Sequence, residues 1–233
     1  MPEMEKPRQL PLDLQHAPGY SRDDLVVSAA NANAVSLIDR WPDWPAPVLV
    51  LAGPAGSGKS HLGAIWCEVS GAVVCDAAAI GEAALDAADH GPVFIDDADG
   101  PGLDENGLFH LINAVRSAGS HLLLASRRFP AAWRVKLPDL ASRLKAAATV
   151  EIGEPDDQLL AGVITKLFAD RQVDVEPHVV QYVVRRIERS LSTAIRVVDM
   201  LDRAALEQKS RITRAMAVEA ISALDEGQGE HDG

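Results

Sequence analysis

The pattern of apolar and polar positions divides the chain into two parts. Up to about residue 154, short continuous apolar runs alternate with stretches in which apolar residues recur at helical spacing. A continuous apolar run is typical of a parallel strand that is buried on both faces. Because strands that alternate with helices favour right-handed crossovers, this part predicts an α/β fold with a doubly wound parallel sheet. The predicted strands are 48–52, 72–75, 93–95, 122–125 and 149–152.

The later part of the chain shows amphipathic helical patterns and no convincing strand. It predicts a small all-helical lid domain over 155–224, next to the α/β domain of 20–154. Residues 1–19 hold four prolines and little periodicity, which predicts an extended arm. Residues 225–233 are polar and contain glycine, which predicts a disordered tail. The helical patterns of the lid cover 157–171, 177–189, 192–209 and 214–224.

Composition and charge narrow the class of protein. A chain of 233 residues with 47% hydrophobic residues can fill one α/β core and a smaller appended domain. Its net charge of −12 argues against a protein that coats nucleic acid, because neutralising phosphates requires clustered cations. The cations are unevenly placed, however. None lies between Lys59 and Arg116, and seven fall within 116–145, a group suited to phosphates or to an acidic partner.

The cysteines and the N-terminal residues bear on the cellular location, and both favour the cytoplasm. Cys67 and Cys75 lie eight positions apart, a spacing that suits neither a zinc site nor a disulfide framework, so we interpret both as buried apolar residues. The first 15 residues lack the apolar stretch of a signal peptide, and no segment reaches the length that spans a bilayer. The sequence therefore predicts a cytoplasmic protein that is neither secreted nor embedded in a membrane.

A glycine-rich phosphate-binding motif follows the first predicted strand. Residues 53–60 read G-x-x-x-x-G-K-S and lead into a predicted helix. The glycines let backbone N–H groups turn inward around a phosphate, and the helix adds its positive N-terminal end. Lys59 would reach the β- and γ-phosphates, and Ser60 would take a Mg²⁺ position. A chance glycine-rich turn is the alternative, which the strand before and the helix after argue against. The predicted nucleotide-binding residues of this segment are Gly53, Gly56, Ser57, Gly58, Lys59, Ser60 and His61.

Two acids follow the third predicted strand. Asp96 at its carboxyl end would hold Mg²⁺, and Asp97 would polarise the attacking water. Two solvated acids in a turn are the alternative interpretation. A P-loop followed about 40 residues later by an acidic strand resembles the AAA+ family. That family usually carries glutamate at the position of Asp97, so the shorter aspartate implies weak intrinsic ATP hydrolysis.

Further segments resemble DnaA and its relatives within the AAA+ family. Ser126, at the end of the next strand, stands at the position of sensor 1, with a plain strand cap as the alternative. The run 137–144, L-P-D-L-A-S-R-L, is similar to a DnaA signature whose arginine is a finger, which implies that Arg143 acts on the nucleotide of a neighbouring subunit. A surface arginine on a helix is the alternative there. Arg196 matches the sensor-2 arginine of the lid, and Leu25, Val26 and Val27 stand where the backbone brackets adenine.

The arm carries a second resemblance. Residues 9–14, Q-L-P-L-D-L, are similar to peptides that dock on the bacterial DNA polymerase sliding clamp. Leucines at alternating positions of an extended peptide can enter one apolar groove while a glutamine amide fixes the register. An arm that packs on its own core is the alternative. The predicted clamp-binding residues are Gln9, Leu10, Leu12 and Leu14.

An arm of this kind on a DnaA-like core resembles the Hda group of regulatory inactivators of DnaA. The resemblance implies that the protein binds ADP or ATP with Mg²⁺, partners the sliding clamp and DnaA, and meets DNA only indirectly through the clamp. It would be associated with the replisome and would promote hydrolysis of ATP bound to DnaA. The alternatives are a helicase-loading ATPase of the DnaC or IstB type and an adaptor with another target. The oligomeric state stays open, a homo-oligomer included.

Overall fold

The computed structural model describes Arg22 and residues 25–229. Five strands form one parallel sheet in the order β2-β3-β4-β1-β5. This arrangement confirms the predicted doubly wound fold, and each strand lies within one residue of its predicted bounds. The strands are β1 Val48–Ala52, β2 Val73–Cys75, β3 Val93–Ile95, β4 Leu122–Ser126 and β5 Ala148–Glu151.

Helices cover both faces of the sheet, because successive residues of a strand point to opposite sides. In β1, Val48 and Val50 join the core beneath α3, α4 and α5, whereas Leu49 and Leu51 join the core beneath α1 and α2. The continuous apolar runs of the sequence follow from this double burial. The helices of this domain are α1 Ala32–Asp39, α2 Lys59–Ser70, α3 Glu82–His90, α4 Glu105–Ala118 and α5 Pro138–Lys145.

A cluster of three tryptophans packs in the core on the α1 side of the sheet. The Trp44 ring stacks on the Trp66 ring at 5.1 Å, and Trp41 meets Trp66 edge-on at 6.3 Å between ring centroids. Trp41 and Trp44 are therefore packing residues. Cys67 and Cys75 are free and only partly buried, which corrects the expectation that both are buried. Partial burial raises the pKa of Cys67 to about 11.

The lid consists of four helices around an apolar core of its own. Asp156 and Ser190 cap two of them by accepting hydrogen bonds from the N–H groups of Leu159 and Thr193. Among the described helices, none combines the length and the apolarity that a membrane span requires. The lid helices are α6 Asp157–Asp170, α7 Pro177–Val184, α8 Leu191–Gln208 and α9 Arg214–Gly229.

Two helix ends differ from the sequence predictions. The helix predicted over 177–189 ends at Val184, because the chain must turn before Ser190 caps α8. The last helix continues to Gly229, so the predicted tail is wrong for 225–229. Once a helix is nucleated, each added residue gains a backbone hydrogen bond, and the polar end of α9 needs no burial to continue. The predicted arm of 1–19 and residues 230–233 lie outside the described residues.

Candidate nucleotide-binding site

The phosphate loop leaves the sheet at the end of β1. The Gly53 N–H donates to the Ser126 carbonyl at 3.1 Å, which fixes the loop beside β4. A side chain at Gly53 would collide with the Ile152 carbonyl oxygen, 2.3 Å from the position of a Cβ atom. Gly56 and Gly58 have φ angles of +71° and +97°, which L-residues with side chains rarely adopt. The three glycines of the motif therefore stand where the backbone leaves no room for a side chain or adopts a positive φ angle.

Lys59 is the first residue of α2 and is 7% exposed. Its Nζ donates to the carbonyl oxygens of Gly53 at 2.8 Å and Pro54 at 2.6 Å. Burial lowers the pKa of Lys59, while the charges of Asp96 and Asp97 act in the opposite direction. The fold thus brings the predicted P-loop lysine and the two predicted acids into one site. Ser60 lies exposed beside Lys59, on the first turn of α2.

The two acids after β3 have different environments. The Asp96 Oδ1 accepts a hydrogen bond from the Asp97 N–H at 2.9 Å. Asp97 is exposed and has a φ angle of +46°, and its Oδ1 lies 3.8 Å from Nε of Arg127. The described residues contain no cluster of three or more His, Cys, Asp or Glu side chains suited to a metal. A Mg²⁺ held by Ser60 and Asp96 would need phosphate oxygens and water as its other ligands.

Asp99 is a residue of this site that the sequence analysis missed. Its side chain is 4% exposed and accepts hydrogen bonds from the Arg127 N–H and from Nε of Arg128, both at 2.9 Å. Burial by itself would raise the pKa of Asp99, but the bonds from Arg128 and Arg127 outweigh it and the pKa is lowered. Asp99 therefore ties the segment after β3 to the segment after β4. Opposite charges that follow neighbouring parallel strands are the signal that could have identified this pair.

Ser126 is fully buried at the end of β4. Its hydroxyl donates to the Arg128 carbonyl at 2.8 Å, so it braces the turn that follows the strand. This contact matches the strand-cap alternative. The role of Ser126 as a phosphate sensor stays a prediction.

The two other predicted arginines lie on separate helices. Arg143 is half-buried on α5, and Arg196 is exposed near the start of α8. Within the described residues, neither side chain forms a hydrogen bond or an ion pair. Lys59 thus lies within electrostatic reach of Asp96 and Asp97, whereas neither arginine pairs with these residues in the described part of the chain.

A mainly apolar cleft lies beside the phosphate loop and is lined by residues of both the α/β domain and the lid. The Asn31 side chain shapes its wall, because Oδ1 accepts from the Ser28 N–H at 2.9 Å and Nδ2 donates to the Val26 carbonyl at 3.0 Å. Aliphatic walls with a fixed, polar main-chain edge suit a planar base. The lining includes the predicted His61 and two of the three residues predicted to bracket adenine, Leu25 and Val26, whereas Val27 is exposed outside it. Two charged residues, Lys166 and Asp170, also line the cleft. The other lining residues are Leu25, Val26, Asn31, Val35, Ser57, Gly58, His61, Leu62, Ile152, Leu159, Val163, Leu167, Leu191 and Ile195.

The lid helix α8 begins directly on the phosphate loop. The Leu191 N–H donates to the Gly56 carbonyl at 2.8 Å. The Ser190 Oγ lies 2.1 Å from the position that a Cβ atom on Gly56 would take. The lid and the loop that would hold phosphate are therefore in direct main-chain contact, a contact that no sequence motif indicated.

Comparison with known proteins identifies the lid. Residues 161–217 match the family model of the lid domain of Hda. A protein from Haemophilus influenzae, itself uncharacterised, is 29% identical over 110 residues, which are 47% of this chain and 48% of that protein. The match thus spans about half the length of this curated relative.

Solved structures identify the fold. Domain III of the Thermotoga maritima replication initiation protein DnaA superposes with a TM-score of 0.74 at 16% identity, covering 88% of this chain and 97% of that one. AMPPCP-bound DnaA from Aquifex aeolicus gives 0.69 at 18% identity, over 82% and 67% of the two chains. The Thermotoga maritima RuvB Holliday junction branch migration motor gives 0.69 at 17% identity, over 89% and 72%.

The parallel sheet, the P-loop and the helical lid give the chain the AAA+ fold seen in these DnaA and RuvB structures. Over residues 161–217 the chain is similar to the lid domain of Hda, and over most of its length it shares the fold of DnaA domain III.

Proposed function

We propose that this protein is a nucleotide-binding regulator of DnaA. It carries ADP in the cleft between loop and lid, docks on the DNA polymerase sliding clamp through residues 9–14, and promotes hydrolysis of ATP bound to DnaA. Renewed initiation of chromosome replication is thereby prevented. The observation that carries the proposal is the match of residues 161–217 to the lid of Hda.

Nucleotide binding is supported by the geometry of the loop. Gly56 and Gly58 provide the backbone turns of a phosphate cradle, and Lys59 is held at its centre. The neighbouring cleft offers an apolar space with a fixed main-chain edge for the base. The similar DnaA of Aquifex aeolicus binds the ATP analogue AMPPCP. A bound Mg²⁺, held through Ser60 and Asp96, would neutralise charge on the phosphates.

Weak hydrolysis by the protein itself is supported by the environment of Asp97. A general base must reach the attacking water at hydrogen-bond distance. Aspartate is one methylene shorter than the usual glutamate, and here its carboxylate faces the guanidinium of Arg127. A carboxylate that is shorter than usual and faces a neighbouring guanidinium is less well placed to reach an attacking water, which suits a protein that retains ADP and acts on a partner.

The proposed action of Arg143 on the nucleotide of a partner is supported by the firm anchoring of α5, the helix that carries it. The Glu105 carboxylate accepts hydrogen bonds from the N–H groups of Lys136 and Leu137 at 2.9 and 2.8 Å, just before the helix. Leu140 and Leu144 are buried and anchor α5 in the core. Arg143 is thus presented from a rigid helix, with no side-chain partner in the described part of the chain. Rigid presentation is what a finger residue requires.

The first prediction is that Arg143→Ala abolishes stimulation of DnaA-bound ATP hydrolysis and leaves ADP binding and clamp binding unchanged. Arginine fingers supplied in trans contribute about 10³- to 10⁵-fold in rate in GTPases. A loss of tenfold or more is therefore expected here. The assay follows conversion of labelled ATP on DnaA in the presence of clamp loaded on DNA.

Lys145→Ala, an exposed cation on the same helix, is the matched control and should stimulate like the wild type. Arg143→Lys keeps the charge but loses the planar donor pair, so it should be largely inactive. Full stimulation by the alanine variant would show that Arg143 is a surface residue. High ATP turnover by the chain alone would favour the helicase-loading alternative.

A further inference from the structure

A positively charged surface lies at one end of the lid, in a protein with a net charge of −12. Three of its cations stand in or directly after the turn between α8 and α9, and the fourth follows the end of α7. All four side chains are exposed, and none forms an ion pair within the described residues. We call this surface the lid patch. It consists of Arg186, Lys209, Arg211 and Arg214.

The Tyr182 ring lies between Arg186, which follows α7, and Arg214, which begins α9, and contacts both. The guanidinium carbon of Arg186 lies 3.9 Å from the centroid of the Tyr182 ring, and that of Arg214 lies 4.7 Å from it. Contact with a ring face orients a guanidinium without neutralising its charge. The N–H groups at the edge of each guanidinium therefore stay available to an anion.

The turn that carries the other cations is held rigidly. Its first part is fixed by the Ser210 N–H, which donates to the Ala205 carbonyl at 3.1 Å. Its end is fixed by Thr213, whose Oγ1 accepts from the Met216 N–H at 3.3 Å. Between them, Ile212 is 5% exposed and packs in the lid core. Little backbone freedom would be lost when this turn meets a ligand.

We propose that the lid patch is a weak, sequence-independent docking surface for the phosphate backbone of duplex DNA. Four unpaired cations on a preorganised surface suit a regular row of phosphates, and three of them are arginines, which bind phosphate through paired N–H donors. The choice of ligand rests on the proposed function, which places the protein beside DnaA, where duplex DNA is the polyanion that the lid patch would meet. The inference depends neither on clamp binding nor on Arg143.

The charge of the lid patch sets the expected salt dependence. Four phosphate contacts on duplex DNA give a slope of log K against log salt of about −3.6. Affinity should therefore fall about a hundredfold between roughly 50 and 200 mM salt. The contact is thus negligible for the free protein at moderate salt and matters only where the protein is already held close to DNA.

The test measures binding of the full-length protein to a labelled duplex of mixed sequence by fluorescence anisotropy, over a series of salt concentrations. The triple variant Arg186→Ala, Arg211→Ala, Arg214→Ala should bind at least tenfold more weakly at low salt. Its slope should fall to about −0.9, because one cation remains.

A matched control separates the position of the charges from the total charge. Arg40→Ala, Arg116→Ala, Arg134→Ala also removes three exposed arginines without ion pairs and also changes the net charge from −12 to −15. This variant should keep the wild-type slope. If the lid variant melts early, the single change Arg211→Glu in the exposed turn replaces it and should weaken binding at low salt by tenfold or more.

Three results would overturn the proposal. The first is a wild-type protein that does not bind the duplex at about 50 mM salt, where its affinity should be highest. The second is an equal loss of affinity in the control variant, which would leave only the effect of net charge. The third is binding of polyglutamate as tight as that of DNA, which would assign the lid patch to an acidic protein.

Discussion

Lys59 has two sets of partners, one within the loop and one in the ligand that the loop would hold. Its ammonium is buried and donates to the carbonyls of Gly53 and Pro54, so it braces the loop from inside. Phosphate oxygens would give the ammonium a charged acceptor in place of neutral ones. Because the phosphate oxygens carry negative charge, Coulombic attraction is added to the hydrogen bonds of the ammonium, and the exchange favours the nucleotide.

Lys59→Ala should therefore remove nucleotide binding. At a ligand concentration of 100 times its Kd, ADP with Mg²⁺ should stabilise the wild type by about 2.7 kcal/mol and the variant hardly at all. Thermal unfolding with and without ligand measures the difference. Lys136→Ala, which removes an exposed lysine side chain, is the control and should keep the full shift. An equal shift in Lys59→Ala would contradict the phosphate cradle.

The sequence could predict those residues of the site that belong to a contiguous motif. Lys59 and Asp96 are recognisable because phosphate and Mg²⁺ impose chemistry and spacing on a short segment. Asp99 and Ser190 were missed, because their roles arise from contacts with segments 28 and 134 residues away in the chain. Ser126 shows the opposite case. Its position suggested a sensor, whereas its hydroxyl in the structure is bonded to the Arg128 carbonyl.

The contact between α8 and the phosphate loop couples two elements that lie far apart in the sequence. The Leu191 N–H meets the Gly56 carbonyl, and the Ser190 side chain occupies the space that a Cβ atom on Gly56 would need. A phosphate that reshapes the loop would therefore also displace the start of α8. Conversely, a displaced lid would release the loop and open the wall of the cleft that Leu191 forms.

Gly56→Ala should weaken ADP binding by disturbing this contact. Alanine at a φ angle of +71° costs on the order of 1–3 kcal/mol, and its Cβ would collide with Ser190. Gly71→Ala is a matched control, because Gly71 has the same φ angle of +71° with no atom within 4 Å. Isothermal titration with ADP and thermal unfolding compare the two. We expect both variants to lose stability and Gly56→Ala alone to lose affinity.

Adding Ser190→Gly to Gly56→Ala removes the collision but not the backbone strain. Part of the ADP affinity should return in this double variant if the lid contact matters. Unchanged affinity in Gly56→Ala itself would show that loop and lid are independent.

The elements that the sequence predicted well are those with a strong periodic signal. The inner strands β1, β3 and β4 were found because burial on both faces makes them almost continuous apolar runs. The edge strands β2 and β5 are partly exposed, and their short apolar runs gave a weaker signal. Helix ends were predicted less well, because they depend on where the chain must turn in three dimensions. The early end of α7 and the extension of α9 to Gly229 are the two examples.

The distribution of charge and the arm together suggest how the whole protein would work. A net charge of −12 makes binding of the free molecule to DNA weak at moderate salt, while the lid patch concentrates four cations on one surface. A tether to a clamp on DNA would convert the weak contact into an intramolecular one, at effective concentrations up to the millimolar range. Recruitment through the arm would then decide where the protein acts, and the lid patch would contribute to its orientation.

The arm makes recruitment testable without altering the fold. Gln9→Ala with Leu10→Ala and Leu12→Ala should reduce affinity for immobilised sliding clamp at least tenfold, which is about 1.4 kcal/mol. The reason is that the leucines would lose their apolar groove and the glutamine its register-fixing hydrogen bonds. The melting temperature should stay nearly unchanged, because every core residue in the described part of the chain lies beyond residue 25. Gln15→Ala, a glutamine change just outside the motif, is the control and should bind the clamp like the wild type. Surface plasmon resonance measures all three proteins, and clamp binding that survives the triple change would place the recruiting surface elsewhere.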